Sequence, residues 1–481
     1  MRPPPHIPPT NGSAVHPPAT DRHPPRLIAW AFLTGLLFLS GIASLPAIGA
    51  PAHSKSSLTP LERQAISRYQ AGEYDLVLQL LQNLPPGEEP GRELVRHAIL
   101  SNLKLGKPED AWKLYPRFVS ANRSDDIKLL RELARSFIIV RVRDPQEHIR
   151  IAAYTALAEL GEAGTLPILE DGLLDSSALV RARAGEAIGR SGVAARSQAL
   201  KRALRDEAPG VRIAAINALS DAKVSAITDQ LTDIARVDEG PESIFALAGL
   251  YKLGRTDTLT DITGAVTLPD PEVRMAAVGI LGRLRHPSSI SALSQAVYDP
   301  HPSVRAFAAG ALGEFGSAEG IAPLTHSVED ENPRVRAVAT SSLGRLGAVD
   351  TRSIIVPLLK DPDEHVRISA VEALLRFGDT GVILNAADLA RHPDPSIRGG
   401  TAQALAVART SNALPILENL MKDQQPLPRL MAARALGKSP LPSLIAPLKI
   451  GLQDSDAAVR IAAAGGLLQV LSRKDNPRSA H

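Results

Sequence analysis

The sequence predicts an all-α solenoid, a superhelix of stacked helical hairpins. Three observations carry that expectation. One apolar pattern recurs every 31 residues between residues 143 and 473, without an insertion. Inside each copy the apolar positions fall at helical rather than strand spacing. Hydrophobic residues make up 44% of the chain but aromatic residues only 3%, so the core must come from Ala and aliphatic side chains, which suits closely packed helices.

The chain opens on a Pro- and His-rich stretch, residues 1–26, whose composition cannot bury a core and predicts a disordered tail. Leu27 to Ala52 then runs without a charge, after Arg22 and Arg26 and before the small-x-small site Ala50-Pro51-Ala52. Those features predict a secretory signal peptide. If uncleaved, residues 27–50 would form a membrane anchor. Both readings place the repeats outside the cytoplasm, periplasmic or secreted in one case and tethered to the inner membrane in the other.

Residues 55–142 predict helical hairpins. Gly72 and Gly106 lie 34 residues apart, each followed by an amphipathic stretch, with Leu80, Leu81 and Leu84 in the first and Ala111, Trp112, Leu114, Tyr115 and Phe118 in the second. This pair resembles tetratricopeptide repeats, whose period is the same. A further helix, roughly Asp125 to Arg141, leads into the long array.

The array is anchored by an arginine. Arg150, Arg181, Arg212, Arg274, Arg305, Arg336, Arg367, Arg398, Arg429 and Arg460 follow one another at 31 residues, with one double step in which Ser243 holds the slot. Three residues after the anchor ten of the eleven units have Ala (Thr401 is the exception). Seven residues after it all eleven have Leu or Ile, and the residue before it is Val or Ile in nine. These offsets share one helical face. A glycine-containing turn follows, with Gly316, Gly347 and Gly378 where the first helix must stop. A second apolar helix comes next, with Leu or Ile at the nineteenth position in nine of ten copies. One such unit cannot bury its apolar face alone, but stacked neighbours can. The eleventh unit, ending near Leu471, keeps only its first helix and is expected to act as a cap. Residues 474–481 form a short tail.

The pattern D-P-x-x-x-V-R-x-x-A-x-x-A-L-G resembles the HEAT-repeat superfamily, and is most similar to the short variety first noted in phycobilisome lyases. The resemblance covers about 330 residues and implies that second helices line the concave face. Asp144, Asp175, Asp206, Asp299, Asp330, Asp361, Asp423 and Asp454 lie six residues before their anchors, and Asp144, Asp299 and Asp361 precede Pro. Asp before Pro predicts a helix start. The resemblance implies a ladder between neighbouring units, built from these aspartates with Arg150, Arg181, Arg212, Arg305, Arg336, Arg367, Arg429 and Arg460.

Nothing in the sequence assembles a catalytic site. There are no cysteines, which excludes thiolate chemistry, and no nucleophile elbow, zinc-protease motif or dinucleotide fingerprint. The stretch Ala432 to Pro440 has Ala where a phosphate loop needs its first Gly. One HEAT-like enzyme family, deoxyhypusine hydroxylase, binds di-iron through His-Glu dipeptides, and this chain has none. The 54 basic and 51 acidic residues nearly balance at +3, and no basic run is interleaved with aromatics, which argues against nucleic acid. His301 reads as a solvated turn residue. No cofactor, metal or small-molecule substrate is expected. The expected function is a scaffold or adaptor that binds an unidentified protein partner on the concave face, and not an enzyme. The alternative is a lyase-like or chromophore-handling protein. The unit from Val237 to Gly254 has lost both Asp and Arg, and Ser243, Phe245 and Tyr251 are its candidate partner contacts. A second irregular unit carries Pro428, Pro440 and Pro442.

Overall fold

A computed structural model describes residues 58–120, 124–237, 240–441 and 443–475. The segment at 27–52 and both tails fall outside these described residues. Leu58–His481 makes one compact unit. Among the described residues every regular element is a helix, and no helix is long and apolar enough to cross a membrane.

Four helices form two hairpins, α1 (Pro60–Gln70) with α2 (Tyr74–Gln82) and α3 (Arg92–Lys104) with α4 (Pro108–Ser120), and α5 (Ile127–Ile139) follows alone. The array then begins with α6 (Glu147–Leu160), α7 (Leu166–Gly172), α8 (Ala178–Arg190), α9 (Gln198–Ala203), α10 (Pro209–Asp221), α11 (Thr228–Val237), α12 (Pro241–Lys252) and α13 (Thr258–Gly264). It continues with α14 (Pro271–Leu284), α15 (Ile290–Ala296), α16 (Pro302–Phe315), α17 (Ile321–Ser327), α18 (Pro333–Leu346), α19 (Arg352–Ile355), α20 (Glu364–Arg376) and α21 (Ile383–Leu389). It ends with α22 (Pro395–Leu405), α23 (Leu414–Leu420), α24 (Pro426–Lys438), α25 (Ile445–Gly451) and α26 (Ala457–Asp475). Even-numbered helices from α6 onward are the first helices of the units, and odd-numbered ones are the second helices. The periodic apolar positions are buried throughout, as Val304, Ala308 and Leu312 show for α16.

Helix starts correct one expectation. The residue that caps α16 is His301, four before the anchor, and its Nδ1 accepts the Ser303 amide; the proline at the first turn is Pro302. Ser177, Asn332 and Asp363 cap α8, α18 and α20 from the same slot. Asp299, two residues earlier, accepts the His301 amide in a turn that precedes the helix. The aspartates six before the anchor are therefore turn formers and ladder partners, not caps. Helix ends follow the glycines: Gly316 has φ +80°, and the same slot is left-handed even where Lys223 and Arg285 occupy it.

The ladder runs between consecutive units. Each anchor arginine places Nε and Nη2 on the two carboxylate oxygens of the aspartate 25 residues later, at 2.7–3.0 Å, in the pairs Arg150–Asp175, Arg181–Asp206, Arg274–Asp299, Arg305–Asp330, Arg336–Asp361, Arg398–Asp423 and Arg429–Asp454. Nη1 meanwhile donates to carbonyls in the anchor's own turn, as Arg305 does to Asp299 and Pro300. Four expected members depart from this scheme. Arg212 pairs with Glu242, because Val237 stands where the aspartate would be. Arg367 turns to Glu364, because position 392 is His. Asp144 is held by Arg141, and Arg460 reaches Glu109 of α4 at 3.5 Å.

Arg460 meets α4 because the array closes on itself. α26 packs against α24 on one side and α6 on the other. α5 lies along α26, where the second helix of the eleventh unit would stand. Ile138 and Val142 are buried there, and Arg131 donates to the Leu471 carbonyl at 2.8 Å. Lys449 of α25 pairs with Asp125 at 2.7 Å. The last first helix is thus a closing element rather than an exposed cap.

Closure also reverses the expected lining. First helices touch their neighbours closely: a Cβ on Gly189 would come within 2.9 Å of Ala218 Cβ, and one on Gly344 within 2.6 Å of Ala373 Cα. Second helices are mostly seven residues or shorter and do not pack together in the same way. In a two-layer ring the closely spaced layer is the inner one. Arg434 on α24 confirms this by pairing with Glu159 on α6, reaching over the intervening α26. Such a bridge forms only on a concave face. The first helices therefore line the bore. Eleven axes spaced about 8–10 Å apart make a circle about 32 Å across, and removing about 5 Å of helix on each side leaves a bore about 20 Å wide.

Candidate binding groove in the bore

Phe245, Ala276, Phe307 and Val338 two residues after their anchors, Gly279 and Gly310 five after, Arg283, Glu314 and Arg345 nine after, and Arg334 two before its own come together on the bore side of their helices. Along α12 to α18 these side chains form an open hollow of about 410 Å³. Its floor is Ala276, Gly279, Ala306 and Gly310, and its walls are Phe245, Met275, Phe307 and Val338. The small floor follows from the glycines at the fifth position: an added Cβ would approach Phe307 at 3.9 Å from Gly279 and Val338 at 3.5 Å from Gly310. Phe307 is 44% exposed despite its size.

Charge collects at the two ends of the groove. Arg283, Glu314 and Arg345 stand at the C-terminal ends of their helices, and Arg334 stands at the N-terminal end of α18. The Arg283 guanidinium lies 5.6 Å from the Phe245 ring centroid, and Arg345 donates to Ser342 at 2.8 Å. Among the described residues no carboxylate forms an ion pair with Arg283, Arg334 or Arg345. A smaller hollow of about 290 Å³ crosses the closure between α24, α26 and α6, over Ile151, Leu430 and Ile461. There the charges are neutralised, since Glu159 takes both Arg434 and Lys438.

The three suspected partner contacts separate. Phe245 forms one wall of the larger groove. Tyr251 is half-buried, edge-on to His286 with centroids 6.4 Å apart. Ser243 is buried and donates to the Gly240 carbonyl at 2.7 Å, so it presents nothing to a partner. The irregularity of its unit belongs to the ladder. Ser243 replaces the arginine and Leu268 replaces that arginine's aspartate, so one rung is lost from both sides together. The preceding rung survives because Glu242 supplies a carboxylate from a slot that is Val or Ile in most units. Met275, Phe307, Arg334 and Arg345 were not singled out by the sequence, because the offsets that face the bore are known only once the closure is seen.

Six of the ladder aspartates have carboxyls held below their ordinary range. At Asp206 and Asp423 the arginine hydrogen bonds are the largest influence and hold the carboxyl below its ordinary range. At Asp175, Asp299, Asp330 and Asp361 burial pushes upward, but arginine and backbone amide donors outweigh it, so these carboxyls are also held low. Among the described residues no three His, Asp or Glu side chains converge as a metal site.

A family model described as HEAT repeats matches residues 127–189, 256–344, 327–384 and 383–469. Among curated proteins none matches the sequence. Solved structures similar to the chain include the complex of CpcE and CpcF of phycocyanin lyase from Nostoc sp. PCC7120, at 17% identity, covering 50% of this chain and 94% of that one with a TM-score of 0.36. Human deoxyhypusine hydroxylase is similar at 20% identity, covering 51% of this chain and 97% of that one with a TM-score of 0.25.

Proposed function

This chain belongs to the HEAT-repeat family, and we propose that it serves as a protein–protein interaction scaffold that holds a segment of its partner against the first helices. The observation that carries this reading is the groove over Gly279 and Gly310. It is open, lined by large apolar side chains, and bordered by three guanidinium groups that form no ion pair with a carboxylate among the described residues. A bore about 20 Å wide admits a helix or an extended strand, whereas a folded domain of 100 residues, with a radius of gyration of about 13 Å, is too large. The partner is therefore engaged through a terminus, a loop or an unfolded stretch. Cross-linking mass spectrometry on complexes captured with the intact chain tests this. Cross-links should fall on first-helix positions in the bore; cross-links confined to the second helices would overturn it.

We further propose that the uncharged run 27–52 exports or tethers the protein. Arg22 and Arg26 before it and Ala50-Pro51-Ala52 at its end support this. Fractionation with N-terminal sequencing should find a mature chain starting at His53, or an intact Met1 in the membrane fraction. An intact Met1 in the cytosol would sink the idea.

A further inference from the structure

We infer that the groove along α12 to α18 is a site for an acidic segment carrying a large apolar side chain. This rests on the scaffold reading and gives the chemistry of the partner. The floor at Gly279 and Gly310 is a hollow in a surface otherwise built of close-packed helices, and Phe245, Met275, Phe307 and Val338 surround it. An exposed wall of this kind gains by covering an aliphatic or aromatic side chain. The charge around it has one dominant sign: Arg283, Arg334 and Arg345 against Glu314.

Arg334 and Arg345 stand eleven residues apart on α18, about 16 Å along the helix axis. A segment lying along α18 therefore meets a guanidinium at each end and the apolar hollow between them. In extended form about five residues cover that distance. The recognised pattern is one or two acidic residues, an apolar centre, and acidic residues again. The hollow at the closure has similar apolar lining but its cations are already bound to Glu159, so it lacks the feature that selects acid.

The test uses the intact chain and three fluorescein-labelled octapeptides read by fluorescence anisotropy. The first is Glu-Asp-Gly-Leu-Phe-Gly-Asp-Glu; the second replaces its acids by Lys, and the third replaces Leu-Phe by Ala-Ala. The first should bind at least about tenfold more tightly than either of the others, and more weakly as salt rises. Gly279→Leu fills the hollow and should weaken binding about tenfold or more, as should Arg334→Glu with Arg345→Glu. Circular dichroism of the variants, which should match the parent, separates loss of binding from loss of fold. Equal binding of all three peptides, no binding of the first at about millimolar concentration, or binding that Gly279→Leu leaves unchanged would overturn the inference. The scaffold reading is judged separately: a partner whose cross-links stay in the bore of the Gly279→Leu variant keeps that reading while this site falls.

Discussion

Arg305 bonds in two directions at once. Its Nη1 ties the turn before its own helix through Asp299 and Pro300, and its Nε and Nη2 grip Asp330 of the next unit. Asp330 in turn accepts the Asn332 amide at 2.8 Å, so the carboxylate is saturated by donors. With side-chain exposures of 12% and 11%, this pair is more sheltered than a surface ion pair. Asp330→Asn turns an amide NH2 toward groups that are themselves donors, and should cost about 2 kcal/mol in urea unfolding. Replacing both partners, Arg305→Met with Asp330→Leu, should cost less than that single change, because no charge is then stranded. A double replacement as damaging as the sum of its parts would contradict this account. The ladder also sets the acid limit. Six of its carboxyls are held below their ordinary range in the folded chain. Their contribution is complete above the unfolded value of about 4 and is lost as pH falls through the lower folded values. The urea midpoint should stay level from about pH 7 to 5 and drop below about pH 4; a midpoint that rises on acidification would refute the ladder's part in it.

Individual helices are tuned by small residues at two slots. At the turn after α14, Arg285 adopts φ +50°, where the equivalent residue after α16 is Gly316. The left-handed backbone costs an L-residue about 1–2 kcal/mol, and glycine returns about half of that as chain entropy. Arg285→Gly should therefore stabilise by about 0.5–1 kcal/mol in thermal or urea unfolding. Inside the helices, Gly344 and Gly279 should respond oppositely to alanine. At Gly344 the new methyl meets Ala373 Cα at 2.6 Å and must push α20 away, a net loss of about 1–2 kcal/mol. At Gly279 it meets only Phe307 at 3.9 Å and should stabilise by about 0.5–1 kcal/mol. Equal effects at the two sites would remove the argument that neighbouring first helices are in backbone contact. The sequence made the repeat legible, because the buried face keeps Val, Ala and Leu in phase over eleven units. It misled at the helix start, because two polar slots two residues apart both suit a turn, and the aspartate is the more recurrent of them. The bore was hidden: alanine and glycine at the sixth and eighth positions read as generic small residues until their close approach to the next helix is seen. Without that contact, nothing in the pattern says which layer is inner.

An open solenoid exposes the apolar face of its last unit, and this one covers that face with its own beginning. The covering segment keeps the array's register. Counting back one period from Arg150 gives position 119, and Ile138, Val142 and Asp144 fall nineteen, twenty-three and twenty-five residues after it, the same slots as Leu169, Leu173 and Asp175. α5 thus serves as the missing second helix of the eleventh unit, whose first helix is α26 at the other end of the array. Such a closure joins the two termini of a nearest-neighbour array and removes the frayed end from which unfolding would otherwise start. Five links hold it: the apolar packing of α5 and α6 on α26, the Arg131 bond to Leu471, the pairing of Glu159 with Arg434 and Lys438, and the ion pairs Lys449–Asp125 and Arg460–Glu109. Glu159→Arg sets three cations together at the join and should loosen it without touching the core of any unit. Amide exchange should rise in α6 and α26 but not in α14 to α18, and small-angle scattering should show a larger radius of gyration. Adding Arg434→Glu and Lys438→Glu to Glu159→Arg restores opposite charges across the join and should recover both readings. If exchange in α6 and α26 is unchanged by Glu159→Arg, the electrostatic link is not part of the closure. If instead exchange rises along the whole array, the units depend on the ring far more than a nearest-neighbour stack allows.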